Sequence, residues 1–173
     1  MMKPILTSLL FLFSLKAIAQ DSTFTKPEIK QNSIYAELLG NGGIYSINYD
    51  RIFQLSNQVK IVPRIGFSTL NDVLIFPLEA NLLLSRSRLS KNFFETGIGL
   101  TILKPLSGFS GQLLTINGYD YHFDNRAVNT PLMIRAGFRH QKPTGGLMYR
   151  TGVLLITGDE TLLTIGIGLG YTF

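Results

Sequence analysis

The composition of this 173-residue chain is unusually apolar, because 45% of its residues are hydrophobic and only 16% are charged. A soluble domain carries about a quarter charged residues. The shortfall, together with 17 glycines, argues against disorder and indicates either a membrane protein or an unusually buried one. The formal charge of +5 comes from scattered cations rather than from a cluster, so no nucleic-acid partner is expected.

The N-terminal segment has the features of an export signal. Lys3 supplies a positive start, an apolar run follows over Ile5–Leu15, and Ala17-Ile18-Ala19 has the small-x-small pattern of a cleavage site. The apolar run is too short to span a bilayer. Lys16 is an uncommon charge at this position, and it leaves an uncleaved anchor as the alternative. We expect residues 1–19 to be a cleaved signal peptide.

The chain after this signal contains no uncharged apolar run of the ~18 residues that a membrane helix needs. After a polar periplasmic lead at residues 20–32, apolar and polar residues alternate with a period of two, which indicates β-strands. Eight segments are long enough to cross a membrane as tilted strands. They are Ser33–Gly40, Gly43–Phe53, Val59–Ser68, Leu74–Leu84, Asn92–Leu103, Thr130–Arg139, Gly146–Leu155 and Leu162–Phe173.

The alternation separates a uniformly apolar face from a face that mixes charges with glycine. In the last segment Leu163 and Ile165 lie on the apolar face, whereas Gly166 and Gly168 lie on the other. A soluble sandwich does not need glycine on its water-facing surface, but glycine makes room inside a narrow closed barrel. The fold class predicted for residues 33–173 is therefore all-β, a closed antiparallel up-and-down transmembrane β-barrel of eight strands.

The polar face defines the barrel interior, in which four acids meet five bases. Eight strands leave an interior just wide enough for side chains, so an ion-pair network that plugs the lumen is favoured over a polar conduit. The predicted network comprises Glu37, Arg64, Glu79, Glu95, Arg135, Arg139 and Arg150, and the other polar interior residues are Asn48, Asp50, Lys60 and Asn81.

The expected hairpin registers pair some of these interior charges. Arg64 is expected to face Glu79, and Glu95 to lie near its neighbour on the next strand, Arg139. Arg135 and Arg150 are expected to lie opposite each other on the sixth and seventh strands. Because like charges repel, those two arginines need acids that reach across the lumen.

Outward aromatic residues near the strand ends predict two belts at the level of the lipid headgroups. Three of them belong to one rim and seven to the other. The first set is Tyr45, Phe67 and Phe76, and the second is Tyr49, Phe53, Phe94, Phe138, Tyr149, Tyr171 and Phe173.

An even number of strands places both termini on one side, which we expect to be the periplasm. The connections on that side are the short turns Gln54–Gln58, Ser85–Lys91 and His140–Gly145, and the external loops are Asn41–Gly42, Thr69–Val73, Lys104–Asn129 and Ile156–Thr161. In the long loop, Leu113–Ile116 and Tyr119–Phe123 flank Asn117-Gly118, a strong hairpin signal. We interpret these arms as a β-ribbon outside the barrel, with a ten-stranded barrel as the alternative.

The C-terminal end carries a resemblance to a known class. Phe173, preceded at alternate positions by Tyr171, Leu169, Ile167 and Ile165, resembles the signature that the insertion machinery of Gram-negative outer-membrane barrels reads. With the signal and the eight strands, the mature chain resembles a small OmpA/OmpX-type barrel. The resemblance implies a location in the cell outer membrane, with membrane lipid and the insertion machinery as partners. It implies little about activity, because such barrels include structural proteins, adhesins and enzymes.

Candidate catalytic residues are few, since the chain has two histidines and no cysteine. His140 is followed two residues later by Lys142, where outer-membrane lipid A deacylases have a serine. His122, beside Asp120 and Asp124, is expected to be a solvated loop residue. No catalytic site, metal or cofactor is therefore expected. The best candidates for contact with an extracellular ligand are the loop aromatics Phe109, Tyr119, Tyr121 and Phe123.

Three functional hypotheses follow. The favoured one is an outer-membrane barrel with a structural or surface-interaction role, a plugged lumen and no catalysis. The alternatives are an exported soluble carrier of lipocalin-like form, which needs an apolar cavity, and a membrane-embedded lipid-modifying enzyme, which needs a Ser/His/acid cluster.

Overall fold

The structure is a computed structural model that describes residues 29–70, 73–106, 113–116, 119–122, 130–157 and 161–173. The predicted signal peptide lies outside these residues, as do Phe109 and Phe123 of the long loop. Within the described part of the chain, no helix is long and apolar enough to cross a bilayer.

The described residues form eleven β-strands. Eight are the barrel strands that the alternation predicts, β3 continues the line of β2, and β7 and β8 lie in the long connection between β6 and β9. Their bounds are β1 Asn32–Leu38, β2 Tyr45–Arg51, β3 Phe53–Gln54, β4 Val59–Leu70, β5 Val73–Leu84, β6 Asn92–Pro105, β7 Leu113–Ile116, β8 Tyr119–His122, β9 Leu132–Gln141, β10 Gly146–Thr157 and β11 Thr161–Thr172.

The barrel is closed and antiparallel. Neighbouring strands pair in the order β2, β1, β11, β10, β9, β6, β5, β4, and β2 pairs with β4 to complete the circle. Closure leaves no barrel strand with an unpaired edge. The eight-stranded prediction is confirmed. The ten-stranded alternative is wrong, because β7 and β8 pair with each other in a separate two-stranded sheet, with Ile116 opposite Tyr119.

The strand faces alternate as the sequence predicts, with the apolar side outward and the polar side in the lumen. In β11, Leu163, Ile165 and Ile167 are each more than half exposed, whereas Gly166 and Gly168 are buried. At least thirty large hydrophobic side chains of the described residues are exposed. Soluble monomers rarely expose so large a contiguous apolar surface. The outer surface of the barrel is therefore suited to an apolar environment.

The two ends of the barrel differ. The end that we call the turn end holds both chain ends of the barrel, where Asn32 and Phe173 exchange backbone hydrogen bonds, and the short connections 55–58, 85–91 and 142–145. The opposite end, the loop end, is where β1 leaves the sheet at Leu38. Several strands extend further toward the loop end than predicted, for example β4 to Leu70 and β10 to Thr157.

The register of the β9–β10 hairpin differs from the prediction. Arg150 lies opposite Arg139, not opposite Arg135, whose partner is Leu154. The reason is the turn, which begins two residues later than expected: Gly145 donates to the Lys142 carbonyl oxygen, with φ of 87° at Gly145. A glycine accepts this left-handed conformation without strain. The shift is even, so the inward and outward faces are unchanged.

The connection between β1 and β2 is longer than the predicted two-residue loop and folds inward. Leu39 and Gly43 have positive φ, of 58° and 83°, and the residues from Gly40 to Gly43 are buried. Asn41 is only 4% exposed, and its carbonyl oxygen accepts a hydrogen bond of 3.0 Å from Thr101 Oγ1 on β6. This segment therefore covers part of the lumen at the loop end.

Candidate functional site in the barrel lumen

The polar residues assigned to the interior all point into the barrel, and none is more than 5% exposed. They include the seven residues of the predicted network: Glu37, Arg64, Glu79, Glu95, Arg135, Arg139 and Arg150. Most of their charged groups meet at mid-height of the barrel, and we call this set the ionic layer.

Arg64 is the residue that joins the acids of the ionic layer. It lies opposite Glu79 in the β4–β5 register and forms an ion pair with it, as expected. Its Nη2 atom also lies 2.5 Å from Glu37 Oε2 on β1. Asn48 Oδ1 accepts two further hydrogen bonds from the same guanidinium, from Nε at 3.1 Å and from Nη2 at 2.7 Å. Charge-assisted bonds of this kind hold a buried arginine in one orientation.

Arg135 and Arg150 are held by acids from across the lumen. Arg135 Nη2 lies 2.9 Å from Glu37 Oε1 and 3.1 Å from Glu79 Oε1. Arg150 Nη2 lies 3.5 Å from Glu79 Oε2, and its Nε lies 3.2 Å from Glu95 Oε2. The two acids Glu37 and Glu79 thus each contact three arginines, which links strands that are not neighbours in the sheet.

Arg139 has a stronger partner than the predicted one. Glu95 lies 3.9 Å from its Nη1 atom, whereas Asp50 accepts hydrogen bonds of 2.7 Å and 2.9 Å from Nη1 and Nη2. Asp50 is on β2, across the barrel from β9. Sequence reasoning placed Asp50 in the lumen but did not pair it, because a cross-lumen contact leaves no signal in strand register.

Glycines make the room that this layer occupies. A Cβ atom at Gly168 would lie 2.8 Å from Arg150 Cγ. One at Gly166 would lie 3.0 Å from both Arg135 Nη1 and Glu37 Oε1. The distance at Gly168 is shorter than real Cβ contacts, and those at Gly166 are at the tight end of their range, so a larger residue at either position would shift an ionic-layer side chain.

An apolar cluster lies in the lumen on the turn-end side of the ionic layer. It consists of Ile52, Val62, Leu83 and Phe93, all at most 4% exposed. Lys60 lies against this cluster, with Nζ 4.2 Å from the centre of the Phe93 ring. The same Nζ atom donates a 3.2 Å hydrogen bond to the carbonyl oxygen of Arg88 in the β5–β6 turn. Lys60 is therefore held at the turn end of the lumen and has no acid among its described partners.

A second apolar cluster lies on the loop-end side. Met133, Leu154 and Ile156 are buried together with Leu162 packed against them. Val73, Ile75 and Leu103 are also buried inside the barrel at this end, each at most 2% exposed. The ionic layer thus lies between these two groups of buried apolar residues, which we call the apolar layers. Inward apolar residues of this kind cannot be told from lipid-facing ones by composition, and only the phase of the alternation identifies them.

The predicted aromatic belts lie on the outer surface. At the loop end, the rings of Phe67 and Phe76 are 5.5 Å apart, and Tyr45 donates to the Thr69 carbonyl oxygen at 3.1 Å. At the turn end, Tyr49 donates to Asn32 Oδ1 at 2.9 Å. The remaining turn-end members, Phe53, Phe94, Phe138, Tyr149, Tyr171 and Phe173, are all exposed.

The other residues of interest have no reactive partner in the described part of the chain. His140 stacks on Tyr149 at 4.8 Å and its Nδ1 lies 2.7 Å from Asn92 Oδ1. No group of three or more His, Asp or Glu side chains among the described residues is placed to hold a metal ion. Tyr119 and Tyr121 lie on β8, within the ribbon that the Asn-Gly pair predicts. The C-terminal series Ile165, Ile167, Leu169, Tyr171 and Phe173 is exposed throughout.

Comparison with known proteins finds a solved structure with a similar fold. No protein-family model and no curated protein sequence matches the chain. Among solved structures, the chain is similar to the N-terminal β-barrel domain of Pseudomonas aeruginosa OprF, with 11% sequence identity and a TM-score of 0.53. The match covers 84% of this chain and 98% of that one. At this identity the likeness shows the fold alone, and with the closed barrel it identifies that fold as the eight-stranded OmpA-type β-barrel.

Proposed function

We propose that this chain is an outer-membrane protein with a structural or surface-interaction role, a lumen closed to ions and no catalytic activity. The observation that carries the proposal is the order of layers inside the barrel, apolar, ionic and apolar. The ionic layer joins opposite walls of the barrel through Glu37 and Glu79, and the apolar layers separate it from both ends.

The outer surface supports a membrane location. Ile34, Ile98, Leu132 and Leu163 are each at least 50% exposed on four different strands. Aromatic side chains lie near both ends of these apolar faces, which is the arrangement of a transmembrane barrel with its two interfacial belts. We further propose that the signal at residues 1–19 exports the chain, and that the C-terminal series ending in Phe173 directs it to the barrel-insertion machinery.

A closed lumen follows from the energetics of the layers. Removing one member of a buried ion-pair network costs about 3–5 kcal/mol, because it leaves an uncompensated charge. An ion entering the ionic layer would have to break such contacts, for example those of Arg64 with Glu37 and Glu79. Before that it would have to pass an apolar cluster toward either end, whose side chains cannot replace its hydration.

Two alternative functions have less support. A lipocalin-like soluble carrier has an apolar cavity and a polar outer surface, whereas this barrel has a charged layer in its interior and an apolar outer surface. A lipid-modifying enzyme needs an activated nucleophile. His140 contacts Asn92 and Tyr149 instead, neither of which forms a Ser/His/acid set with it.

Single-channel recording tests the closed lumen. The purified barrel is reconstituted in a planar bilayer, and a gel shift between unheated and boiled samples verifies that it is folded. We expect no stepwise conductance from the wild type. The double variant Phe93→Ser/Leu83→Ser opens the turn-end apolar layer only. Its matched control, Phe94→Ser/Leu84→Ser, changes the neighbouring residues that face outward. Discrete, salt-dependent conductance steps in the wild type would contradict the proposal.

A further inference from the structure

The charges outside the lumen are distributed unevenly. Five exposed cations surround the turn end: Arg51, Arg86, Arg88, Lys91 and Lys142. The acidic side chains described in the barrel, Glu37, Asp50, Glu79 and Glu95, are all buried in the lumen. The described turn-end surface is therefore basic, with no exposed acid to balance it. At the loop end, Lys104 is the corresponding exposed cation of the described barrel.

We propose that the turn end is a docking surface for anionic phospholipid headgroups in the membrane leaflet that surrounds it. This proposal rests on the membrane location proposed above and adds a lipid preference to it. The contact is between the phosphate groups of the lipid and the guanidinium and ammonium groups of these residues, near the membrane surface.

The position of the cations relative to the aromatic belt favours this partner. The Arg51 guanidinium carbon lies 5.6 Å from the centre of the Phe53 ring, and Phe53 is an outward member of the turn-end belt. Lys91 lies beside the turn-end end of β9, since its carbonyl oxygen accepts a hydrogen bond from Gln141 N. Cations that flank an aromatic belt lie at headgroup depth.

Two exposed leucines lie among these cations. Leu55 is 63% exposed in the connection that follows β3, and Leu89 is 54% exposed beside Arg88. A soluble polyanion has nothing apolar to offer these side chains. A phospholipid offers both a phosphate and the upper part of its acyl chains, so the mixture of cations and leucines fits a lipid surface better than a polymer in water.

The β5–β6 turn also provides concave space for a headgroup. A shallow groove of about 710 Å³ lies between this turn and the 55–58 connection, lined by Ser56, Gln58, Arg86, Ser87, Arg88 and Leu89. A second groove of about 770 Å³ lies on the other side of the same turn and adds Lys91 and Asn92. Arg86 borders both grooves, so it is the cation best placed to contact a phosphate in either one.

The test is lipid retention in nanodiscs. The folded protein is placed in phosphatidylcholine containing a minority of phosphatidylglycerol with the same acyl chains, and native mass spectrometry counts each lipid that stays bound. We expect the wild type to enrich phosphatidylglycerol above its bulk fraction. The variant Arg86→Gln/Arg88→Gln/Lys91→Gln should lose most of this enrichment, by about five-fold for each cation removed. Lys91→Gln alone should lose more than its loop-end control, Lys104→Gln.

Four outcomes separate the possibilities. Enrichment that the triple variant loses and that high salt weakens supports the proposal. A wild type in the nanodisc without enrichment, or an equal loss in Lys104→Gln, overturns it. Binding of a soluble carboxylated polysaccharide by the wild type, without phosphatidylglycerol enrichment, would instead assign the turn end to an aqueous polyanion. A protein that gives no heat-dependent gel shift and does not enter the nanodisc would contradict the membrane location itself.

Discussion

Arg64 and Glu79 lie directly opposite each other on β4 and β5 and form an ion pair whose two side chains are fully buried. Glu79 also contacts Arg135 at 3.1 Å and Arg150 at 3.5 Å, on two further strands. The adjacent pair therefore anchors contacts that cross the lumen, and its removal should affect the whole barrel rather than one hairpin.

The first prediction concerns this shared acid. Glu79→Gln keeps the side-chain volume but leaves three arginines short of a carboxylate, so the barrel should lose about 3–5 kcal/mol of unfolding free energy. Urea unfolding in lipid vesicles, followed by the gel shift of the folded form, measures this loss. Glu95→Gln is the matched control, because Glu95 contacts fewer arginines, at 3.2 Å and 3.9 Å. Equal losses in the two variants would contradict the central role of Glu79.

The second prediction concerns the space beside the ionic layer. Gly168→Leu should destabilise the barrel by ~1–3 kcal/mol, since its side chain would overlap Arg150. The neighbouring outward change Leu169→Ile should have little effect, because Leu169 is 58% exposed on the apolar face. The same urea titration compares them. A Gly168→Leu protein as stable as the wild type would mean that the lumen is less tightly filled than the structure indicates.

The third prediction tests the surroundings of the outer surface. Ile167 is outward and near the middle of β11, so Ile167→Arg should cost ~2–4 kcal/mol if lipid surrounds it. Thr161→Arg, at the loop-end start of the same strand, should cost ~0–1 kcal/mol. Vesicle folding experiments give both values. In a soluble carrier the two substitutions would differ little, and that result would favour the carrier.

The fourth prediction concerns topology. The connection between β6 and β9 contains Arg126, and the β5–β6 turn contains Arg88. If the loop end faces outward from the cell, trypsin added to intact cells should cut after Arg126 and spare Arg88. Arg126→Gln should abolish the cut. Cleavage after Arg88 in intact cells, with Arg126 spared, would reverse the orientation.

The fold was predictable because the pattern that indicates a strand lies within each strand's own sequence. Alternation along a segment such as Leu162–Phe173 states which residues share a face, independently of the rest of the chain. The pair Arg64 and Glu79 was predictable for a similar reason, since a short hairpin determines the register of its two strands.

The remaining details depend on geometry that no local pattern encodes. The partner of Arg139 is Asp50 on the opposite wall, and only closure of the barrel brings them together. The β9–β10 register was wrong because the position of the turn depends on the left-handed glycine Gly145. The inward fold of the β1–β2 connection was missed because Asn41-Gly42 is also typical of a tight hairpin.

The location and form of the protein in cells test the membrane barrel most directly. Membranes are separated on a density gradient after osmotic shock, and each fraction is run on a gel with and without boiling. We predict a band in the outer-membrane fraction whose mobility changes on heating, because the closed barrel resists detergent until it is heated. Release of the protein into the osmotic-shock fluid, with no heat-dependent shift, would contradict the membrane barrel.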